Sequence, residues 1–161
     1  MTWQAISARP YSKMPLTAVI TDSRITAVPN GAIYFVGNLN LLKSTGQRHT
    51  IDIIRTTVED CYSDMLRPQP IPIPNVAILI GARVNADTCR FNNNRGVGFS
   101  LFAGATGAAN NCTMSNNVNT IGAGGISLGL GASASFTGRG LHSFTFRLNV
   151  CTVCGIRWLA G

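Results

Sequence analysis

The sequence predicts an all-β protein with a stack of about three short coils, and an internal repeat is the first observation that predicts it. Residues 87–94 recur as residues 110–117, so that Cys89 corresponds to Cys112 and Phe91 to Met114. A weaker third copy follows at residues 132–139. A period between about 20 and 50 residues is typical of supersecondary units that stack on one another.

The second observation is a strand-like alternation of apolar and polar residues in short runs. In the weaker copy, Ala134 and Phe136 take the two apolar positions, and Gly138 stands where the Asn run was. The runs end at Gly-rich or Asn-rich joints, where Gly supplies a positive φ and Asn tolerates one. Stacked Asn side chains are expected to hydrogen-bond along the ladder. The predicted strands are 76–80, 89–91, 99–101, 112–114, 126–130 and 144–150, with Gly-rich joints at 104–107, 122–125 and 138–140.

The N-terminal part of the chain also predicts strands. Residues 16–42 contain an alternating run and then, after a Pro-Asn-Gly turn, a continuous apolar run. Residues 44–47 predict a turn, and a further strand begins at Ile51. The one helix candidate is 56–66, although Thr57 and Val58 disfavour helix.

The 161 residues are predicted to form a single domain. Residues 1–15 predict an extended arm, because Pro10 and Pro15 disfavour a regular helix. Residues 16–67 form an N-terminal β portion, and residues 75–161 hold the coil repeats. Between them, 68–74 has a proline at every second position, which predicts a rigid polyproline-like connector.

Composition narrows the class of partner. Only 12% of residues are charged, against about 25% in typical domains, which favours a surface partly covered by neighbours. A polar, uncharged surface of Ser, Thr and Asn is the alternative. The formal net charge is +7, but the basic residues are scattered and no Lys/Arg block marks a nucleic-acid-binding tail. No signal peptide is recognised at the N-terminus, and the longest apolar stretch is too short to span a membrane. We therefore expect synthesis in a cytoplasm, no membrane partner, and no nucleic-acid partner.

The five cysteines do not predict a disulfide framework, because their number is odd and their spacing irregular. Cys89 and Cys112 share one position of the repeat and are expected to stack as small buried side chains. Cys151 and Cys154 form a lone CxxC, and the chain has only two histidines, so no metal site is predicted.

Residues 112–117 and 122–127 resemble the coils of right-handed parallel β-helix proteins. In those proteins a small-x-apolar-x-Asn strand is followed by a Gly-Gly-apolar return. The resemblance covers about residues 76–150 and implies a fold rather than an activity. Such folds occur in phage tailspikes and other virion proteins, in polysaccharide lyases and hydrolases, and in adhesins. A jelly-roll sandwich stays open as the alternative, because many short strands with Gly and Pro turns also fit it.

The sequence predicts that the protein is not an enzyme and needs no cofactor. The densest acidic group is Glu59, Asp60 and Asp64, which is expected to pair with Arg55 and Arg67 or to solvate a turn. No nucleophile motif is present, and His49 and His142 have no partner at a suggestive spacing.

The predicted function is a structural component of a virus particle, in particular a phage decoration (cement) or spike/fibre-type protein. The arm is expected to dock on a neighbouring subunit through Trp3, Arg9, Tyr11 and Lys13. The expected partners are further copies of the chain, as a trimer, and other virion subunits such as a major capsid protein. The protein would assemble in the host cytoplasm and reside in the virion.

Two other functions stay open. The first is a glycan-binding or glycan-processing β-helix, with Arg90, Asn92, Arg95 and Asn116 facing the glycan. The second is a small jelly-roll coat protein that packages nucleic acid.

Overall fold

The computed structural model describes residues 5–29, 31–61, 76–95, 99–117, 126–129, 132–137, 146–149 and 155–159. Sixteen strands and one short helix account for its regular structure, so the all-β prediction is confirmed. The strands are β1 Ile6–Ala8, β2 Thr17–Thr21, β3 Arg24–Thr26, β4 Ile33–Val36, β5 Thr50–Ile54, β6 Thr57–Glu59, β7 Val76–Leu79, β8 Arg83–Asp87, β9 Arg90–Asn92, β10 Phe99–Phe102, β11 Thr106–Asn110, β12 Thr113–Ser115, β13 Ile126–Gly129, β14 Ser133–Thr137, β15 Phe146–Asn149 and β16 Gly155–Leu159; helix α1 is Leu39–Thr45.

The strands form three sheets, and successive strands along the chain visit these sheets in turn. The first sheet has the order β1-β4-β7-β10-β13-β15, the second β16-β14-β11-β8-β5-β2, and the third β12-β9-β6-β3. Every described strand pair is parallel. A jelly-roll pairs its strands antiparallel. The jelly-roll alternative is therefore wrong for the described strands.

The repeat identified in the sequence corresponds to the strand register in the middle of the chain. Phe91 is the register partner of Met114, and Arg83 is the partner of Thr106. Both pairs have the same separation along the chain as Cys89 and Cys112. The predicted third copy is wrong in its placement. Phe136 lies in the second sheet beside Ala109, not in the third sheet beyond Met114.

Strands before the predicted connector pair into the same three sheets as those after it. In the second sheet, Ile20 is the partner of Ile53, and Ile53 is the partner of Ala86. These offsets are longer than the offset between Phe91 and Met114. The repeat thus extends towards the N-terminus beyond the three copies that the sequence predicted, while the connector 68–74 itself lies outside the described residues.

Inward-facing side chains form one core between the sheets. Alternation within each short strand sends every second residue inward, and the parallel register stacks these residues in rows. In the third sheet one such row runs through Ile25, Val58, Phe91 and Met114, all of which are buried. The largest fully buried side chains are Phe35, Phe91, Ile33, Ile51, Ile53, Ile78, Leu101, Met114 and His49.

Left-handed residues mark the corner between the second and third sheets. Asp22, Arg55, Thr88 and Asn111 occupy equivalent positions there, with φ between 46° and 55°. A left-handed conformation costs a non-Gly residue about 1–2 kcal/mol. Backbone hydrogen bonds between repeats offset this cost, since Asp22 N donates to Ile54 O at 3.0 Å and Thr88 N to Asn110 O at 2.9 Å.

The corner after the third sheet is built in the same way. Ala27, Asp60, Asn93 and Asn116 have φ between 53° and 56°. Here the expected Asn ladder is confirmed. Asn116 Nδ2 donates to Asn93 Oδ1 at 3.2 Å, and Asn94 Nδ2 donates to Asn117 Oδ1 at 2.9 Å.

The helix prediction is wrong in position. Residues 57–59 form β6, while the observed helix, α1, lies in a region predicted to be strand and turn. Helix α1 is only seven residues long, too short to show a helical period. It is defined by its caps. Asn38 Oδ1 accepts from Asn40 N and Leu41 N, and Gly46 ends the helix at φ 71°.

Candidate docking site

Two insertions fall at the same corner of the fold, between the first and second sheets. Residues 80–82 and 103–105 make this connection in three residues each. The equivalent connection from β4 to β5 is residues 37–49 and carries α1, which we call the helix insertion. The connection from β1 to β2 is residues 9–16, which we call the arm segment. In repeat proteins such insertions collect on one face, often the binding face.

The arm segment is held against the protein's own surface at both ends and in the middle. The Arg9 guanidinium lies 5.1 Å from the Tyr34 ring centre, a cation–π distance. Asn38 Nδ2 donates to Ser12 O at 3.3 Å, and Leu16 N donates to His49 Nδ1 at 3.1 Å. Since residues 6–8 form β1, the described part of the predicted extended arm, residues 5–15, contains a strand followed by an anchored connection.

Several large apolar side chains stay exposed at this corner. Tyr11 is 87% exposed and Met14 70%, both on the arm segment. Leu39 is 42% exposed on the helix insertion, and Ile80 is 38% exposed on the neighbouring short connection. Clustered exposed apolar side chains are typical of interaction sites.

The arm segment and the helix insertion enclose a groove of about 740 Å³, which we call the arm–helix groove. Arg9, Pro10, Tyr11 and Lys13 line one side; residues 36–41 with Ser44 line the other; Ile80 completes the lining. Two of these residues, Arg9 and Lys13, are cationic, and the described lining contains no aspartate or glutamate. The groove therefore combines apolar surface with positive charge.

The helix insertion is fastened to the next two connections. Arg48 Nη1 donates to Gly81 O and to Gly104 O, both at 2.7 Å. Gly37 approaches the neighbouring connection so closely that an added Cβ would lie 2.5 Å from Ile80 O. These contacts fix one wall of the groove relative to the sheets.

His49, the last residue of the helix insertion, connects this insertion to the arm segment. Its side chain is fully buried, and Nδ1 accepts the hydrogen bond from Leu16 N. An accepting Nδ1 requires the neutral imidazole, with the proton on Nε2. Nε2 is a buried atom without a hydrogen-bond partner. Burial lowers the pKa of His49, and the Ser12 backbone partly opposes this effect.

We expect stability to fall below about pH 6.5 because of His49. Its pKa is lower in the folded protein than in the unfolded chain, so the unfolded chain binds the proton more readily. The stabilisation that neutral His49 provides is complete above its pKa in the unfolded chain. It is lost as pH falls towards its pKa in the folded protein.

Urea unfolding between about pH 5 and 7.5, the range in which histidine titrates, measures this effect. His49→Gln is the matched variant, because a glutamine amide can accept from Leu16 N and does not titrate. The difference between the two proteins cancels contributions from His142. An unfolding free energy difference that stays constant with pH would show that His49 does not titrate in this range.

The four residues predicted to face a glycan lie on or next to the third sheet. Arg90 and Asn92 belong to β9, Arg95 follows it, and Asn116 follows β12. Only Arg90 and Asn92 share a strand, because Asn116 occupies the corner after the third sheet and Arg95 lies beyond the equivalent corner residue, Asn93. The two amides are engaged within the protein, since Asn92 Oδ1 accepts from Ser115 Oγ at 2.9 Å and Asn116 donates to Asn93. Arg90 and Arg95 are exposed.

Two members of the acidic group identified in the sequence, Glu59 and Asp60, lie in the described residues. Glu59 forms an ion pair with Arg24, and Arg55 pairs with Asp22 through two contacts of 2.6 Å. For the described acidic residues the expected pairing with Arg55 is therefore wrong, while Asp60 is exposed at a corner, as the alternative of solvating a turn predicted. The hydrogen bond from Arg55 lowers the pKa of Asp22 to about 2. Asp64 and Arg67 lie outside the described residues.

The prediction for the repeated cysteines is confirmed. Cys89 and Cys112 are both buried, and Cys89 N donates to Cys112 Sγ at 3.4 Å. Cys151, Cys154, His142 and the predicted arm residue Trp3 lie outside the described residues. Within the described ranges, no group of three or more His, Cys, Asp or Glu side chains could hold a metal ion.

Comparison with known proteins identified no matching family model, no matching curated protein and no matching solved structure. Among the residues that the structure describes, no helix is long and apolar enough to cross a membrane.

Proposed function

We propose that this chain is a structural component of a virus particle, in particular a phage decoration (cement) or spike/fibre-type protein. It docks on neighbouring subunits through the arm–helix groove. The observation that carries the proposal is the placement of both long insertions at one corner, where Tyr11 and Met14 expose most of their surface. Exposed aromatic and methionine side chains are enriched at protein interfaces.

The fold that goes with this function is a short parallel β-helix-like stack. Parallel strands in three sheets, side chains stacked in register and left-handed corner residues support it. Such a stack is rigid and leaves its side loops free for contacts, because each repeat is braced by its neighbours. The protein acts by binding and positioning, not as an enzyme, and resides in the virion.

Isolated particles provide the test. Virus particles from a culture that produces the chain are treated with nuclease and banded in a density gradient. The fractions are then probed with antibodies raised against the chain. We expect the chain to band with the nuclease-resistant nucleic acid. Recovery of the chain only at the top of the gradient would contradict the proposal.

Point variants test the docking surface more cleanly than deletion of residues 1–14, which would also remove β1. We expect Tyr11→Ser, which removes an exposed aromatic ring from the groove lining, to abolish rebinding to particles stripped of the chain. Val19→Ser is the matched control, because Val19 is 60% exposed but does not line the groove. Equal rebinding by the two variants would place the docking surface elsewhere.

The partners in this proposal are further copies of the chain and other virion subunits such as a major capsid protein. Light scattering of the purified chain tests whether it associates with further copies of itself. A trimer has three times the chain mass of 17.1 kDa. A monomer at all concentrations would remove self-association from the proposal. Large particles with excess ultraviolet absorbance from nucleic acid would favour a packaging coat protein instead, although the parallel pairing removes the jelly-roll argument for that function.

A glycan-binding function is the second candidate, and the third sheet favours it. Arg90 is exposed on its outer face, flanked in register by Thr57 and Thr113. Guanidinium and hydroxyl groups on a flat face are suited to sugar hydroxyls and carboxylates. A glycan array with the native chain and Arg90→Ala tests it, and absence of binding by the native chain removes this candidate.

A further inference from the structure

We propose that the arm–helix groove binds an extended peptide segment of a partner protein that carries carboxylates next to an apolar side chain. This inference rests on the proposed docking function and specifies the chemistry of the partner. It depends on two properties of the groove, its charge and its apolar lining.

The arm side of the groove is positively charged, and no acidic side chain of the described lining neutralises this charge. Arg9 and Lys13 both line the arm side, and none of the described lining residues is acidic. Stacking on Tyr34 holds the Arg9 guanidinium in place, so less side-chain entropy is lost when it binds a carboxylate. Lys13 is exposed and offers three donors.

Charge alone does not account for binding here, because exposed ion pairs contribute little on their own. The apolar residues supply the remaining energy. Leu39 and Ile80 are partly exposed on the opposite side, and covering them removes apolar surface from water. A ligand therefore needs an apolar side chain beside its carboxylates.

A peptide fits this combination better than a nucleic acid does. Nucleic-acid affinity comes mainly from neutralising many phosphates, and each neutralised phosphate requires a lysine or arginine of the protein. The groove has two cations and an aliphatic side, which suits one or two carboxylates and an adjacent apolar side chain. Lys43, at the end of α1, does not line the groove.

A displayed library of random dodecapeptides tests this chemistry without using the virus particle. We expect peptides selected on the immobilised chain to be enriched in Asp and Glu next to aliphatic or aromatic residues. The Kd of the best peptide, measured by fluorescence anisotropy, should rise about tenfold in Lys13→Glu, which corresponds to about 1.4 kcal/mol. It should also rise with salt, because the charges are exposed.

Lys43→Glu is the matched control, because it makes the same charge reversal outside the groove. We expect less than a twofold change in this variant, and circular dichroism should show that both variants are folded. Failure to select any peptide, selection without acidic enrichment, or equal losses in the two variants would overturn the inference.

Competition between the selected peptide and a single-stranded DNA dodecamer tests whether the groove binds nucleic acid instead. Displacement of the peptide at equal concentration would assign the groove to nucleic acid and overturn the peptide assignment. The library also separates this inference from the proposed function. Acidic peptides that bind a chain absent from particles would leave the inference standing and reject the virion role.

Discussion

Replacing Asn94 by leucine should destabilise the protein by about 3–5 kcal/mol, because it removes three hydrogen bonds at a buried position. Asn94 is buried, and its side chain joins three repeats. Its Oδ1 accepts from Cys61 N at 3.0 Å, and its Nδ2 donates to Val58 O at 3.1 Å and to Asn117 Oδ1 at 2.9 Å. Leucine has a similar size but makes none of these bonds. Asn117 Oδ1 still accepts from Asn94 N at 3.1 Å, whereas Cys61 N loses its acceptor on Asn94, and a buried group left unpaired costs about 1–3 kcal/mol.

Urea unfolding monitored by circular dichroism measures the change. Asn93→Gly is the matched control, because Asn93 is the exposed neighbour in a left-handed conformation that glycine adopts readily. It removes only the hydrogen bond from Asn116, so we expect a loss of about 1 kcal/mol or less. Similar losses in the two variants would mean that the buried amide does not hold the repeats together.

The second large effect is expected at Gly37, where α1 departs from the first sheet. A Cβ at this position would lie 2.5 Å from Ile80 O and 2.7 Å from Ala82 N. Both are backbone atoms of the next connection and cannot turn away as a side chain would. Gly37→Ala should therefore push the two connections apart and cost about 3 kcal/mol, at the upper end for overpacking.

Gly46→Ala provides the comparison for this prediction. An added Cβ at Gly46 meets nothing within 4 Å, but the residue has φ 71°. Its cost is the left-handed conformation alone, about 1–2 kcal/mol. Thermal unfolding should place Gly37→Ala well below Gly46→Ala in midpoint temperature. The reverse order would contradict the close approach at the groove wall.

Part of this fold could be predicted because some residues mark their positions distinctively. Cys89 recurs as Cys112, the Asn runs recur with the same spacing, and the strand register follows that period. The N-terminal repeats do not show this signal. Ile20 and Ile53 are common core residues, and no distinctive residue reveals their wider offset.

Other features depend on tertiary contacts that the sequence does not display. Arg55 and Thr88 adopt left-handed conformations because neighbouring repeats supply their hydrogen bonds, and neither residue type favours this conformation. Helix α1 is specified by Asn38 and Gly46, two caps that could have been recognised without a helical period.

The sequence predicts only the arm side of the candidate site. Arg9, Tyr11 and Lys13 follow from an exposed, proline-bounded segment, and all three line the groove. The opposite side was missed because it depends on α1. His49 and Arg48 were also missed, since only the fold shows that one supports the arm segment and the other anchors the helix insertion.

Zero-length carbodiimide cross-linking of purified particles tests the central claim most directly. The reagent joins a lysine amine to a carboxylate in contact with it, and this chain has only two lysines, Lys13 in the groove and Lys43 outside it. Mass spectrometry of the digested particles should find Lys13 joined to an aspartate or glutamate of a neighbouring subunit. Cross-links to neighbouring subunits at Lys43 alone, or at neither lysine, would contradict docking through the arm–helix groove.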